Sequence, residues 1–199
     1  MKNIMKRSIH WSVLIAVITL VLAAIFSIIS TAVLSGVGWA IGMIIVLVIV
    51  LIGVFFDMIG VAATAASEKP FHAMASKKIP GAYQAMKITR NADKVANFCA
   101  DVIGDISGVV SGTAASAVVI QLTFAADSAD GSTLQFILNV IFTAVVAALT
   151  VGGKALGKTF AITFSTAIIL QVGRIFYVLE NKLKITFFNK KSTKKTKNV

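Results

Sequence analysis

The chain has 199 residues, 57% of them hydrophobic and only 14% charged, yet it carries a formal net charge of +11. Its mean hydropathy of +0.90 excludes an ordinary soluble globular domain and points to an all-α, polytopic membrane protein of about four transmembrane helices. The basic residues lie in loops and tail between apolar runs. They read as the positive-inside pattern and attraction to anionic lipid rather than as a nucleic-acid surface.

Lys2, Lys6 and Arg7 precede an uncharged run at 11–34, WSVLIAVITLVLAAIFSIISTAVL. This run exceeds the h-region of a signal peptide, so a retained signal-anchor with a cytoplasmic N-terminus is expected; a cleaved signal peptide is the alternative. SGVGW at 35–39 is a short turn, and a second span is expected from about Ile41 to Ala66. After Asp57 its residues become small, GVAATAAS, which suits close helix packing.

Residues 67–98 form a basic elbow broken by Pro70 and by Pro80-Gly81. Its lysines and arginine place it in the cytoplasm. Between Pro80 and Asn91 the apolar residues recur at helical spacing, which predicts a helix in the membrane interface, and Asn91 is a candidate N-cap for the next helix. Cys99, the single cysteine, permits no internal disulfide and is expected to pack as a small apolar residue. His10 and His72 are expected at the interface.

A third span is expected from about Ala96 to Ala125, with Gly104, Gly108 and Gly112 as a small-residue packing face and Asp101 and Asp105 on one helix side. An acidic loop at 127–132 suits the outside, and a fourth span is expected from about Leu134 to Val151, containing Asn139. GGKALGK at 152–158 then returns to the cytoplasm. The apolar stretch at 159–178 is interrupted by Gln171, Gly173 and Arg174 and precedes a lysine-rich tail. An interfacial or re-entrant segment with a cytoplasmic tail is expected, with a true fifth span as the competing reading. From about Lys184 the tail lacks apolar content and is expected to be disordered or lipid-bound.

Ionisable groups inside apolar spans mark functional positions by default, because each must pair, bind an ion or line a wet cavity. Asp57, Asp101 and Asp105 are such groups. Bland readings stand beside this one: Asp101 hydrated at the interface, and Asp105 capping an interruption or bridging to a basic residue of the elbow. Nothing in the sequence matches a nucleophile–base pair, a metalloprotease motif or a phosphate loop, so an enzyme is not expected.

The order of Phe55-Phe56, an alanine-rich helix end, the elbow IPGAYQA, Gly104-Asp105 and the late GGKALGK resembles the membrane domain of the cyclin-M/CorC magnesium transporters over about residues 41–180. The resemblance implies an added N-terminal helix at 1–40, a transporter-like domain at 41–180 and a basic tail at 181–199, without the family's nucleotide-binding regulatory module. It also implies a homodimer. The single cysteine and the lack of an extracellular domain fit the inner (plasma) membrane of a bacterium. The family's serine after FF falls on Asp57, its following glutamate on Gly60, its Gly-Asn pair on Gly104-Asp105, and the glutamate, proline and lysine of its G-E-x-x-P-K motif on Gly153, Gly157 and Lys158.

On this reading the chain handles a divalent cation, Mg²⁺ by preference for hard oxygen ligands. Asp57 and Asp105 are the expected ligands, Ser107 and the Gly104 carbonyl assist, and Asp101 lines the cytoplasmic mouth. Two carboxylates at one site also require a counter-cation or a proton. The alternative is a non-transporting membrane scaffold or regulatory subunit derived from such a domain; a lytic pore is a distant third.

Overall fold

In a bilayer, the backbone amides of a long uncharged run have only one another as partners, so helix is the available local solution. The computed structural model of the chain describes residues 2–125 and 131–183. It is all-α among the described residues. Among the described residues, four stretches are long and apolar enough to cross a membrane, Ser12–Ser35, Trp39–Ala65, Ala92–Phe124 and Gln135–Thr163. The chain is a multi-pass membrane protein.

Helix α1 (Lys2–Ser35) and α2 (Trp39–Ala65) are separated by the short turn at Gly36–Gly38. Helix α2 is the centre of the fold. Gly42, Val46, Val50, Gly53, Asp57 and Gly60 recur every three or four residues and are all buried, which puts them on one stripe of the helix. The opposite stripe, including Ile44, Leu47, Leu51 and Phe55, is exposed, as a lipid-facing surface must be. Val46 and Val50 pack with Leu34, Ala114, Ala115, Val118 and Val146, tying α2 to the end of α1 and to the two later spans. Gln121 reinforces this end by donating to the Leu34 carbonyl at 2.7 Å.

The elbow folds into two short helices, α3 (Glu68–Ser76) and α4 (Ala82–Arg90). Pro70 sits in the first turn of α3, where its missing N–H costs no intrahelical bond. Glu68 accepts from Arg90 and pairs with His72 at 3.1 Å, stapling α3 to α4. Gly81 turns the chain with φ +85°, in the left-handed region. A Cβ there would lie 2.5 Å from the Arg174 backbone nitrogen, so Gly81 is required by both torsion and space.

The third membrane-length stretch is interrupted. A single turn, α5 (Ala92–Ala96), leads into a π-helical segment, Asn97–Gly104, before α6 (Asp105–Ala125). Asn91 does not cap this helix as expected. Its side-chain amide donates backwards to the Lys87 carbonyl at 2.9 Å, so it closes α4 instead. The packing face expected from Gly104, Gly108 and Gly112 is also narrower: only Gly104 has neighbours within 4 Å of its Cβ direction.

The largest departure is at the fourth span. Helix α7 (Gly131–Thr163) runs for 33 residues straight through GGKALGK, so there is no turn at 152–158. Glycine is unfavourable in a helix interior by about 1 kcal/mol. Here Gly153 and Gly157 let α7 lie against Val54 and Met58 of α2, and that packing offsets the cost. The stretch expected at 159–178 is therefore split. Its first residues end α7, and the rest forms α8 (Ser165–Leu183), which is not among the four membrane-length stretches.

Helix α8 packs on α4 and α2. Ile169 joins Ala62, Ala63, Phe71, Ala85 and Ile88 in one buried cluster, and the buried Gln84 donates to Glu180 at 2.7 Å. The apolar face of α4 thus packs against protein. The acidic loop expected at 127–132 lies, up to residue 130, outside the described residues, as does the tail beyond residue 183.

Two outcomes follow from the elbow. Gly81→Ala lowers stability by more than about 2 kcal/mol, since it combines a strained torsion with overpacking; thermal unfolding in detergent measures this. The hydrogen bond from Arg90 holds the Glu68 carboxyl below its ordinary value of 4.5. A lowered carboxylate value contributes stability above the ordinary value and loses it as pH falls through the folded one. Glu68→Gln is therefore slightly less stable than wild type at pH 7, and the gap closes as the pH is lowered below 4.5, read by melting curves across pH.

Candidate cation site

The site grows from a seam between α2 and the π-helical segment. Two glycines of α2 bring the backbones together. A Cβ on Gly60 would lie 3.1 Å from the Ala100 Cβ and 3.2 Å from the Ala96 carbonyl oxygen. A Cβ on Gly53 would lie 2.8 Å from the Ser107 Cβ and 3.5 Å from the Gly104 carbonyl oxygen. Between these two glycines, on the same buried stripe, stands Asp57.

Asp57 is 5% exposed. Its Cβ lies 3.7 Å from the Cβ direction of Gly104, which also faces the carbonyl oxygens of Gly53 and Cys99 at 3.6 and 3.5 Å. A Cβ at 104 would be in ordinary van der Waals contact with all three, so the two helices are closely packed here. Among the described residues, the buried side-chain oxygens without a hydrogen-bond partner are Ser30 Oγ, Asp57 Oδ2, Gln121 Oε1 and Asn139 Oδ1. Asp57 is the ionisable one of the four. A carboxylate oxygen held away from water with no donor is costly, and a bound cation or a proton removes that cost. The adjoining π-helical turn is a feature found frequently at functional sites.

The other expected ligands are distributed unevenly. Gly104 is buried in the seam beside Asp57. Ser107 is half-buried against Gly53, with its hydroxyl donating to the Ile103 carbonyl at 2.8 Å; the oxygen's lone pairs remain for a cation. It also borders an apolar groove of about 450 Å³ lined by Phe26, Ile49, Phe56 and Phe98. Asp101 is exposed. Asp105 is exposed as well, and it forms an ion pair: Lys154 Nζ lies 3.1 Å from its Oδ1. Among the described residues, no group of three or more His, Cys, Asp and Glu side chains clusters as metal ligands do. A cation here would take one or two carboxylates and otherwise hydroxyl, carbonyl and water oxygens.

Lys154 is the residue that sequence reasoning missed. Read as part of a loop, it had no route to the spans. Its flanking pattern held the signal, because Gly153 and Gly157 are themselves a small-xxx-small pair, which marks helix packing as readily as a turn. Comparisons with known protein families, with curated proteins and with solved structures return no match for this chain.

The two kinds of glycine separate experimentally. Gly53→Ala overpacks the seam against Ser107 and costs about 1–3 kcal/mol. Gly108→Ala meets open space, so its gain in helix propensity leaves stability unchanged or raised by up to about 1 kcal/mol. Parallel melting curves of the two variants check the contrast.

Proposed function

We propose that the chain is a cation-handling membrane protein of the transporter kind, with a site for a divalent cation, Mg²⁺ by ligand chemistry, centred on Asp57. The observation that carries this reading is the buried, unpartnered Asp57 oxygen within a membrane-length stretch. Mg²⁺ takes hard oxygen donors, is commonly held by one or two carboxylates, and keeps several of its waters. Asp57 and the neighbouring carbonyls of Gly53, Cys99 and Gly104 are donors of that kind, with the Ser107 hydroxyl beside them. Asp105, next to Gly104 in the chain, adds a second carboxylate at the rim, and Asp101 lies one helical turn before it. The homodimer that the sequence resemblance implies and the inner-membrane placement expected from the sequence belong to the same proposal.

A non-transporting scaffold or regulatory subunit is the second reading. It is favoured by the Asp105–Lys154 pair, which already supplies a positive charge to one of the two carboxylates.

The test is thermal stability of the detergent-purified protein against Mg²⁺ concentration, with Na⁺ and K⁺ as controls. A ligand that binds only the folded state raises stability with its concentration, by about 2.7 kcal/mol at a hundredfold excess over Kd. Wild type is expected to gain stability with Mg²⁺, and Asp57→Asn to lose that response. A wild-type melting temperature indifferent to every cation would leave the scaffold reading in place.

A further inference from the structure

The proposed site has a feature that a simple cation pocket lacks, a lysine built into its wall. Three elements meet at one level of the fold. Residues 53–58 of α2 carry Asp57. The junction of the π-helical segment with α6 carries Gly104, Asp105 and Ser107. Residues 153–157 of α7 carry Lys154, and Gly153 and Gly157 on either side of it are seated on Val54 and Met58 of α2. The lysine's backbone is therefore fixed beside the seam, while its four-carbon stem leaves the ammonium free to swing.

The exposures of the pair are unequal. The Lys154 side chain is 19% exposed and that of Asp105 is 69% exposed. Lysine on a membrane-length helix usually extends toward the aqueous interface. Lys154 is instead folded inward along the protein, toward the carboxylate adjoining Gly104. The charge balance explains why. Gly104, the chain neighbour of Asp105, lies beside Asp57, so carboxylates 57 and 105 stand on adjoining backbones, and two negative charges on adjoining backbones need compensation in low dielectric. One ammonium cancels half of it, and a divalent ion would cancel all of it.

We infer that Lys154 is a tethered counter-cation of this site, holding Asp105 while the site is empty and yielding it when a divalent cation binds. The inference rests on the proposed site at Asp57 and adds a regulation to it. Ammonium and divalent ion compete for one carboxylate, so the lysine lowers the affinity for the mobile ion and keeps the vacant site from standing doubly negative. It also couples cation binding to a movement of α7's side chain. Cation release is assisted in turn, because the ammonium is waiting at the carboxylate the ion leaves.

The experiment compares Mg²⁺-dependent melting of the full-length protein in wild type, Lys154→Gln, Lys154→Arg and the double variant Lys154→Gln/Asp57→Asn. An ion pair with an exposed partner is worth up to about fivefold in an equilibrium constant. Lys154→Gln is therefore expected to respond at a Mg²⁺ concentration about two- to fivefold lower than wild type. Lys154→Arg stays near wild type, and the double variant loses the response. A second measurement on wild type keeps the test open if Lys154→Gln fails to fold. Labelling of Lys154 by a membrane-permeant amine-reactive ester, read by mass spectrometry, should rise when Mg²⁺ is added. If wild type responds to Mg²⁺ but Lys154→Gln responds at the same concentration, or labelling is unchanged, the lysine is a structural partner only and the inference is overturned while the cation site survives. If wild type is silent and Lys154→Gln responds through Asp57, the lysine blocks the site without yielding, and both the inference and cation handling by the native chain are overturned. Silence in both overturns both.

Discussion

A carboxylate in the hydrocarbon region of a membrane must have its charge removed, paired or solvated, and the fold around α2 is arranged about that requirement at Asp57. The side chain sits on the one stripe of α2 that faces protein, between Gly53 and Gly60. Those glycines admit the backbone of the π-helical segment to van der Waals distance, and Gly104 comes to lie beside the Asp57 Cβ. The carboxylate's Oδ2 is left there without a hydrogen-bond partner.

Much of this was legible in the sequence. Four apolar runs of membrane length fixed the class, since no other residue pattern leaves so many backbone amides without water. The alanine- and glycine-rich second half of α2 announced close packing, and Ala62, Ala63 and Ala66 are indeed buried. Asp57 stood out because it interrupts an otherwise apolar run. Its burial was the part that could not be read, because burial depends on which stripe of the helix meets protein.

What stayed hidden had physical causes of its own. No side-chain pattern distinguishes an i→i+5 turn from an α-helical one, so the π-helical segment at Asn97–Gly104 left no mark. GGKALGK combines two charges with three glycines, a composition that usually ends a helix, and only the contact with Val54 and Met58 shows why it continues. Asn91 has a residue type suited to an N-cap, but a carbonyl of the preceding turn was the nearer partner. The docking of α8 on α4 joins positions nearly a hundred residues apart through Gly81 and Gly173, and neither glycine signals the other.

That last contact bears on how the chain is made. Synthesis proceeds from the N-terminus, and each segment must remain soluble or inserted until its partners emerge. The elbow helix α4 is complete by Arg90, yet Ala85 and Ile88 are covered by a helix that begins only at Ser165. Throughout production of the last two spans, the apolar face of α4 rests on α2 and α3 and lacks the cover of α8. The part of that face left for α8 stays uncovered until the chain has been made as far as Ser165, so the elbow is completed by α8 rather than by its neighbours in sequence.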